Sequence, residues 1–381
     1  MKNKLKLTSI ERLYSNLFFF FFVAQIFSPY IYGATLYIEV ILVCLNPFFI
    51  NWILKLKTKK YYFLVIFIFL GFLCFYKILL IKIICIFLCI LFLLYTYERD
   101  IFYLKKYLLL SIFIAIVQFL FLYTNPKISY FFGPSNLSQL VWEEYATPTF
   151  TNFYRIFLIP RVSGLSREAG FFASLLTISI FLFYIDAKIQ NKRISIFLII
   201  FWLIGFIISF SKMSMILFIF FLLYKNRKHV NIISPALIFL FFIIFMYLFV
   251  FILNDFLIDP SNFTFLHRFG GFGVISSMDF FQILFGVDNI KEIYHPYIDL
   301  VIENGFSDFA GLSGFIINYG LIFTILYFLL LCKIFKFDSF ALIALLLMTI
   351  NVDIVTNQNF VILTYFFIIL YLKKVRYAVG S

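Results

Sequence analysis

Charged residues are scarce in this chain, because only 13% of its 381 residues are Asp, Glu, Lys or Arg. A soluble globular protein carries roughly 25%. Hydrophobic residues make up 64% of the sequence, and the mean hydropathy is +1.05. So few charges cannot cover a water-exposed surface, which excludes a soluble enzyme, a disordered chain and a fibrous protein. The composition predicts an all-α, polytopic integral membrane protein.

Cysteine and histidine are also rare, with five and three residues respectively. The cysteines are Cys44, Cys74, Cys85, Cys89 and Cys332, and each lies in an apolar stretch. Although Cys85 and Cys89 would share a helix face, no histidine or further cysteine completes a metal-ligand spacing. We therefore expect no disulfide, no metal site and no cofactor.

Twelve apolar segments are candidates for membrane-spanning helices, each of which needs roughly 20 mainly apolar residues. The segments are 14–30, 32–53, 61–77, 78–97, 105–124, 169–186, 194–210, 212–225, 231–253, 312–332, 338–351 and 358–372. The run Phe18–Phe22 in the first segment is expected to face lipid rather than to form a site. Glu39 and Lys82 lie inside such segments, so either is a candidate for a functional buried charge.

Lysine and arginine cluster in alternate short connections between these segments. The clusters lie near residues 2–12, 55–60, 99–106, 188–193, 225–228, 333–336 and 373–376. Positive charge marks the cytoplasmic side of a membrane protein, so both termini are expected there. The net charge of +13 therefore reflects the membrane topology of the chain and does not indicate a nucleic-acid partner. We expect one membrane domain over 1–381, with two large outer loops at 125–168 and 254–311.

The densest polar cluster runs from Arg161 to Gly170, where the first large loop meets an apolar segment. Arg161 and Arg167 have rigid donor groups that suit phosphate oxygens. Glu168 is expected at a helix N-terminus, where the helix dipole stabilises a carboxylate. An arginine–glutamate pair that caps the helix and orients the loop is the alternative explanation.

A second cluster, His267-Arg268-Phe-Gly-Gly-Phe-Gly273, lies in the second large loop. Glycines allow the backbone to approach a ligand closely, and the neighbouring arginine would suit an anion. Downstream are the polar residues His295 and Asp308, and then a helix rich in small residues that permit close packing. A third feature, Ser209-Phe-Ser211-Lys212, places Lys212 on the outer side, either as a ligand or as an ordinary interfacial lysine.

The order of these motifs resembles the O-antigen polymerase (Wzy) family of bacterial inner-membrane glycan polymerases. The resemblance rests on Arg161-x-x-Gly164-x-x-x-Glu168, on Ser209-x-Ser211-Lys212, on Arg268 before Leu284-Phe285-Gly286, and on Tyr319-Gly-Leu-Ile322. It covers about residues 155–330 by motif. By this resemblance the architecture would be that of a GT-C-like membrane glycosyltransferase, and the two outer loops would be periplasmic.

The resemblance also implies a reaction, in which a growing glycan moves from undecaprenyl pyrophosphate onto a hydroxyl of a new lipid-linked repeat unit. Arg161, Arg167, Arg268 and Lys212 would bind the pyrophosphate. The general base would be one of four residues, namely Glu168, His267, His295 and Asp308. Expected partners are the undecaprenyl-pyrophosphate-linked oligosaccharide, membrane lipid and, by resemblance, a polysaccharide chain-length regulator.

Three other classes are weighed against a polymerase. An O-antigen ligase resembles it, but the histidine expected eleven residues before Gly320 is replaced by Phe309. A flippase would show two repeated halves and short loops, which this sequence lacks. A membrane acyltransferase would need a histidine and an arginine in an early apolar segment, and nothing before residue 155 qualifies. The polymerase is favoured, with a ligase-type glycosyltransferase or a flippase as alternatives.

Overall fold

The structure is a computed structural model of the full chain. It describes residues 8–31, 34–55, 77–146, 155–156, 159–211, 213–259, 263–303, 308–350, 352 and 354–379. These residues are mostly helical, which confirms the predicted helical class. By contacts, the chain divides into two compact units. The first comprises Met1–Ile66, Ile81–Leu217 and Asn357–Ser381, and the second comprises Phe67–Leu80 and Phe218–Thr356.

The helices up to the middle of the chain belong mainly to the first unit, except the last of them, whose larger part lies in the second unit. They are α1 (Ser9–Val23), α2 (Ile38–Cys44), α3 (Pro47–Leu54), α4 (Lys77–Glu98), α5 (Leu104–Thr124), α6 (Pro126–Phe131), α7 (Pro134–Trp142), α8 (Ala169–Ile189), α9 (Ile196–Ile208) and α10 (Met213–Lys225). Single 3₁₀ turns occur at Gln25–Phe27 and Glu143–Tyr145. Strand β1 (Tyr30–Ile31) pairs antiparallel with β2 (Ala34–Thr35), and β3 (Arg155–Ile156) with β4 (Ile159–Pro160).

The remaining helices, apart from the last, belong to the second unit. They are α11 (Arg227–Val230), α12 (Pro235–Ile252), α13 (Asn254–Ile258), α14 (Phe263–Phe269), α15 (Gly271–Ile275), α16 (Phe280–Phe285), α17 (Pro296–Glu303), α18 (Gly311–Ile334), α19 (Ser339–Met348) and α20 (Asn359–Val379). A 3₁₀ turn lies at Ile290–Glu292. Helix α20 returns to the first unit, where it packs against α8.

Five helices of the described residues are long and apolar enough to cross a membrane. They are α4 from Ile81 onward, α5, α8, α12 and α18. Shorter apolar helices are α9, α19 and the Asn359–Lys373 part of α20. The predicted segment 61–77 lies almost wholly outside the described residues. The structure therefore supports a membrane protein, whereas the number of spans stays a prediction.

The predicted segment 32–53 is not one continuous helix, because it is divided between α2 and α3. The break falls at Asn46-Pro47. The side chain of Asn46 accepts hydrogen bonds from the backbone of Phe48 (3.0 Å) and Phe49 (3.1 Å), which makes it the N-cap of α3. Proline has no backbone N–H to continue α2 and is favoured at the first position of a new helix.

The expectation that the Phe18–Phe22 run faces lipid is wrong for three of its members. Phe18, Phe19 and Phe22 have no exposed surface. Phe18 packs against Phe92 of α4, with their ring centroids 4.5 Å apart. The run faces inward because α1 packs against α2 and α5, and a helix surrounded in this way buries large side chains.

The two predicted outer segments contain only short elements in their described parts. The described part of 125–168 forms α6, α7, a 3₁₀ turn and the β3–β4 hairpin, whereas that of 254–311 forms α13 to α17. None of these helices could span a membrane. Their placement on the outer side stays a prediction.

Helix α18 is broken at Gly320, and the turn after α16 packs into the break. Gly320 has φ +75°, and Gly286 has φ +82°. A Cβ at Gly320 would lie 2.3 Å from the carbonyl oxygen of Leu284, and one at Gly286 would lie 2.6 Å from that of Asn318. The N–H of Val287 donates to the carbonyl of Ile317 (2.8 Å). The Leu-Phe-Gly and Tyr-Gly motifs of the sequence are therefore in direct contact.

Candidate functional site

The loop that carries Arg161, Arg167 and Glu168 is fixed to α5 by Gln118. The side chain of Gln118 accepts from the N–H of Gly164 (2.9 Å) and donates to the carbonyls of Gly164 (3.1 Å) and Phe132 (2.6 Å). Gln118 is fully buried in the first unit. These bonds satisfy both the N–H and the carbonyl of Gly164, which fixes the loop backbone to α5 at this residue.

Gly164 is required at this position for two reasons. Its φ of +56° lies in the left-handed region that other residues rarely adopt. A Cβ here would lie 2.5 Å from the carbonyl oxygen of Ser111. The hydroxyl of Ser111 also accepts from the N–H of Leu165 (3.0 Å). The loop backbone is thus held against α5 on both sides of the glycine.

Both arginines of this loop are partly buried, and Glu168 follows at the start of α8. Glu168 is the N-cap residue of α8, as predicted, but its side chain makes no capping hydrogen bond. The capping role that the alternative explanation gives to Glu168 is therefore not seen. The carboxylate is close to the positive end of the α8 dipole.

Arg167 is partly buried, and two of its nitrogen atoms are unsatisfied. Its Cζ lies 5.6 Å from the ring centroid of Tyr37. Its Nε and Nη2 are buried, and no described residue forms a hydrogen bond with either atom. Nor does any described carboxylate form an ion pair with it. A partly buried guanidinium with unsatisfied nitrogen atoms is suited to bind an anion.

A buried polar cluster surrounds Tyr37 and Glu39, near Arg167. Glu39 has no exposed surface and is close enough to Arg167 for an electrostatic interaction. The amide of Gln25 donates to Glu39 Oε1 (2.9 Å) and to the carbonyl of Asn357 (3.0 Å). Glu39 is therefore one of the buried charges that the sequence raised as candidates, and it belongs to the first unit.

The other members of this arrangement were missed by the sequence reasoning. Gln358 donates to the hydroxyl of Tyr37 (3.4 Å), and Gln118 and Gln25 make the bonds described above. These residues are uncharged, so a prediction from the positions of charged residues in the sequence does not find them. The available signal was a glutamine within an otherwise apolar spanning segment, as at Gln118, because such a residue needs a specific partner.

In the second unit, His267 is held at two points by the segment that precedes α18. Its carbonyl accepts from the N–H of Ala310 (2.8 Å), and its ring donates to the backbone of Asp308. Burial, reinforced by the charge of Arg268, lowers the pKa of His267 to about 4, although the Asp308 bond acts in the opposite direction. The ring is therefore neutral at physiological pH, and one ring nitrogen carries a proton fixed by the Asp308 bond.

The glycines after Arg268 are explained by packing. A Cβ at Gly271 would lie 2.5 Å from Ser313 Oγ, and one at Gly273 would lie 2.9 Å from the ring of Tyr297. These contacts let α15 approach α17 and α18 closely. Packing thus accounts for the glycines without a ligand, whereas Arg268 itself keeps its predicted role as a hypothesis.

His295 lines an open cleft of about 420 Å³ in the same unit. Its Nδ1 accepts from the N–H of Tyr297 (3.1 Å), so the neutral ring carries its proton on Nε2. Burial lowers the pKa of His295, which favours this neutral form. His267, Arg268 and Asp308 do not line the cleft. The structure thus brings His267 and Asp308 together and places His295 elsewhere in the unit.

The third sequence feature is only partly described. Lys212 lies outside the described residues. Ser209 is buried just after α9, and its hydroxyl donates to the carbonyl of Phe206 (2.7 Å). This bond to the preceding turn is a common role for serine at a helix end, so it gives no sign of ligand binding.

The candidate residues therefore form separate arrangements, each described within its own unit. Within the described residues, no group of three or more histidine, cysteine or acidic side chains could hold a metal ion. A comparison of the chain with protein-family models, curated proteins and solved structures finds no match.

Proposed function

We propose that this chain is a membrane glycosyltransferase that polymerises a surface glycan, as the resemblance to O-antigen polymerases implies. It would work in the inner membrane of a bacterium. The donor would be a glycan on undecaprenyl pyrophosphate, and the acceptor a hydroxyl of a new repeat unit on the same lipid. A chain-length regulator is proposed as a partner on the resemblance alone.

One observation carries the proposal, namely the partly buried guanidinium of Arg167, whose Nε and Nη2 form no hydrogen bond with a described residue. When the bond from the sugar to pyrophosphate breaks, negative charge develops on the leaving oxygen. A donor group that is already fixed and partly removed from water stabilises that charge without reorganisation. The bonds from Gln118 to Gly164 hold the loop that carries this guanidinium. Arg161, on the same loop, is proposed to assist it.

The proposed membrane topology has twelve spanning helices, with both termini in the cytoplasm. The alternation of basic clusters along the sequence supports it. The five long apolar helices and the shorter α9, α19 and α20 are compatible with it. In this topology, the segments 125–168 and 254–311 lie in the periplasm. The first segment carries Arg167, and the second carries His267 and Arg268.

The general base is proposed to be one of Glu168, His267, His295 and Asp308. His267 and His295 differ in how their rings are held. A bond to the Asp308 backbone orients the ring of His267, which is neutral at physiological pH. In His295, the Nδ1 lone pair already accepts from Tyr297, so the ring is arranged as a donor.

Complementation of a strain that lacks the chain tests the proposal. Loss of a polymerase leaves single repeat units on lipopolysaccharide, whereas loss of a ligase or flippase leaves none. We expect Arg167→Ala to reproduce the single-unit pattern, because removal of one transition-state donor costs on the order of 10²-fold or more in rate. Arg193→Ala, at an exposed arginine before α9, should restore the full ladder.

Two results would contradict the proposal. A normal ladder from membrane-inserted Arg167→Ala would remove the role of its guanidinium. A deletion strain without any surface repeat units would reject the polymerase and favour a ligase or flippase.

A further inference from the structure

The cleft beside His295 lies where an apolar helix ends and polar residues begin. Helix α12 ends at Ile252, and Asn254 and Asp255 follow. The residues that line the cleft include Tyr247, Phe251 and Ile252, which are 44%, 73% and 75% exposed. Large apolar side chains this exposed at the end of a helix able to cross a membrane are suited to contact lipid. The cleft thus has an apolar edge and a polar end.

Hydrogen bonds within the cleft hold its polar end. Tyr297 donates its hydroxyl to Asn254 Oδ1, and Asn254 Nδ2 donates to Asp255 Oδ1 (3.3 Å). The Tyr297 hydroxyl keeps its proton for this bond, because burial, followed by the Asp255 charge, raises its pKa. Asn254 is thereby bonded on both sides, which positions Asp255 with spare acceptor capacity.

The charge of the cleft is negative and is not balanced by a cation. Asp255 is acidic, whereas none of the described residues that line the cleft is lysine or arginine. No described cation forms an ion pair with Asp255. The oxygen of Ser276, which donates to the Gly273 carbonyl (2.6 Å), is a second acceptor. His295 adds one N–H donor on Nε2. The cleft therefore offers two acceptors for a cation, Asp255 and Ser276, and one donor for an anion.

We propose that this cleft binds the headgroup of a zwitterionic phospholipid that bears a primary ammonium, such as phosphatidylethanolamine. The ammonium would donate to Asp255 and Ser276, and the phosphate would accept from His295 Nε2. The acyl chains would lie along Tyr247, Phe251 and Ile252. A volume of about 420 Å³ lies in the range of roughly 300–1,000 Å³ of small-molecule sites. An anionic lipid fits less well, because Asp255 would repel it.

Native mass spectrometry of the full chain tests this inference. The purified protein would be released from nanodiscs that contain equal shares of phosphatidylethanolamine, phosphatidylcholine and phosphatidylglycerol. We expect bound phosphatidylethanolamine to exceed its share. Asp255→Asn should lower this excess roughly tenfold, because it removes a charge-assisted hydrogen bond. Asp288→Asn, at an exposed acid that does not line the cleft, should retain it.

Several results would overturn the inference. The first three are no excess of phosphatidylethanolamine, an excess that survives in Asp255→Asn, and preferential retention of phosphatidylglycerol. Phosphatidylcholine distinguishes a site for a primary ammonium from a site for any cation, because its quaternary ammonium cannot donate hydrogen bonds. Equal retention of phosphatidylcholine and phosphatidylethanolamine would also contradict the proposal. A soluble amino sugar added in excess should not displace the lipid, and displacement would assign the ammonium site to a sugar instead. The readout is independent of glycan polymerisation.

Discussion

The two arginine-bearing loops look alike in sequence but are built by different forces. Each combines arginine with nearby glycine. In the Arg161–Glu168 loop, Gly164 provides a left-handed backbone conformation, and Gln118 satisfies its peptide with hydrogen bonds. In the His267–Gly273 segment, the glycines remove side-chain bulk so that α15 can pack against α17 and α18.

This difference shows that glycine beside arginine is a weak sign of an anion site. The informative feature is which neighbouring groups form hydrogen bonds or charge interactions with the arginine. Arg167 has buried nitrogen atoms that no described residue satisfies. Arg268 acts on the neighbouring His267, whose ring is bonded to the Asp308 backbone. The following experiments test whether polar bonds hold the first loop and packing holds the second.

The largest effect is expected from Gln118→Leu. Leucine has a similar volume but cannot bond to the N–H and carbonyl of Gly164 or to the carbonyl of Phe132. Buried polar groups left unsatisfied cost about 1–3 kcal/mol each, so we expect a loss of roughly 4 kcal/mol in the free energy of unfolding. Thermal unfolding of the purified protein in one detergent would measure it.

Gln139→Leu is the matched control, because the same substitution falls on an exposed glutamine of α7. Its effect should stay within about 0.5 kcal/mol. Equal unfolding midpoints for the two variants would show that hydrogen bonds from Gln118 do not hold the Arg161–Glu168 loop.

A smaller effect is expected from Gly164→Ala. Alanine at φ +56° is strained, and its Cβ would meet the Ser111 carbonyl oxygen at 2.5 Å. Together these terms should destabilise the protein by about 3 kcal/mol. Gly170→Ala is the control in the same stretch, since a Cβ there meets nothing within 4 Å. It should raise the unfolding midpoint slightly, because alanine favours the helix. A similar loss in both variants would contradict the role assigned to Gly164.

Most of the helices could be predicted from the sequence, because long apolar runs report burial or lipid contact directly. Helices α4, α5, α8 and α18 begin and end within a few residues of the predicted segments. The division of 32–53 could also have been foreseen, since Asn46-Pro47 is a capping pair. The inward face of Phe18–Phe22 could not, because it depends on which helices surround α1.

The candidate site was predicted only where charge marked it. Arg167 and Glu39 were both identified from the sequence, but nothing in it indicated that they lie near each other or that Arg167 lies over the ring of Tyr37. Such proximity depends on long-range packing, as in the bond from Gln25 to the carbonyl of Asn357. The cleft beside His295 was missed for the same reason, since its residues come from separate helices and the turns beside them.

The smallest effect, and the sharpest contrast between the loops, is expected from Gly271→Ala. Its Cβ would meet Ser313 Oγ at 2.5 Å, and this is a side-chain contact. We expect a loss of about 2 kcal/mol from overpacking. A second change, Ser313→Gly, removes the obstacle, so the two changes together should destabilise less than their sum by about 1 kcal/mol. At Gly164, Ser111→Gly would remove the hydroxyl at 2.7 Å but leave the backbone oxygen at 2.5 Å and the strained φ of +56°, so the recovery should be smaller than at Gly271. Equal recovery at both sites, or recovery at neither, would remove the distinction between a loop held by its backbone bonds and one held by packing.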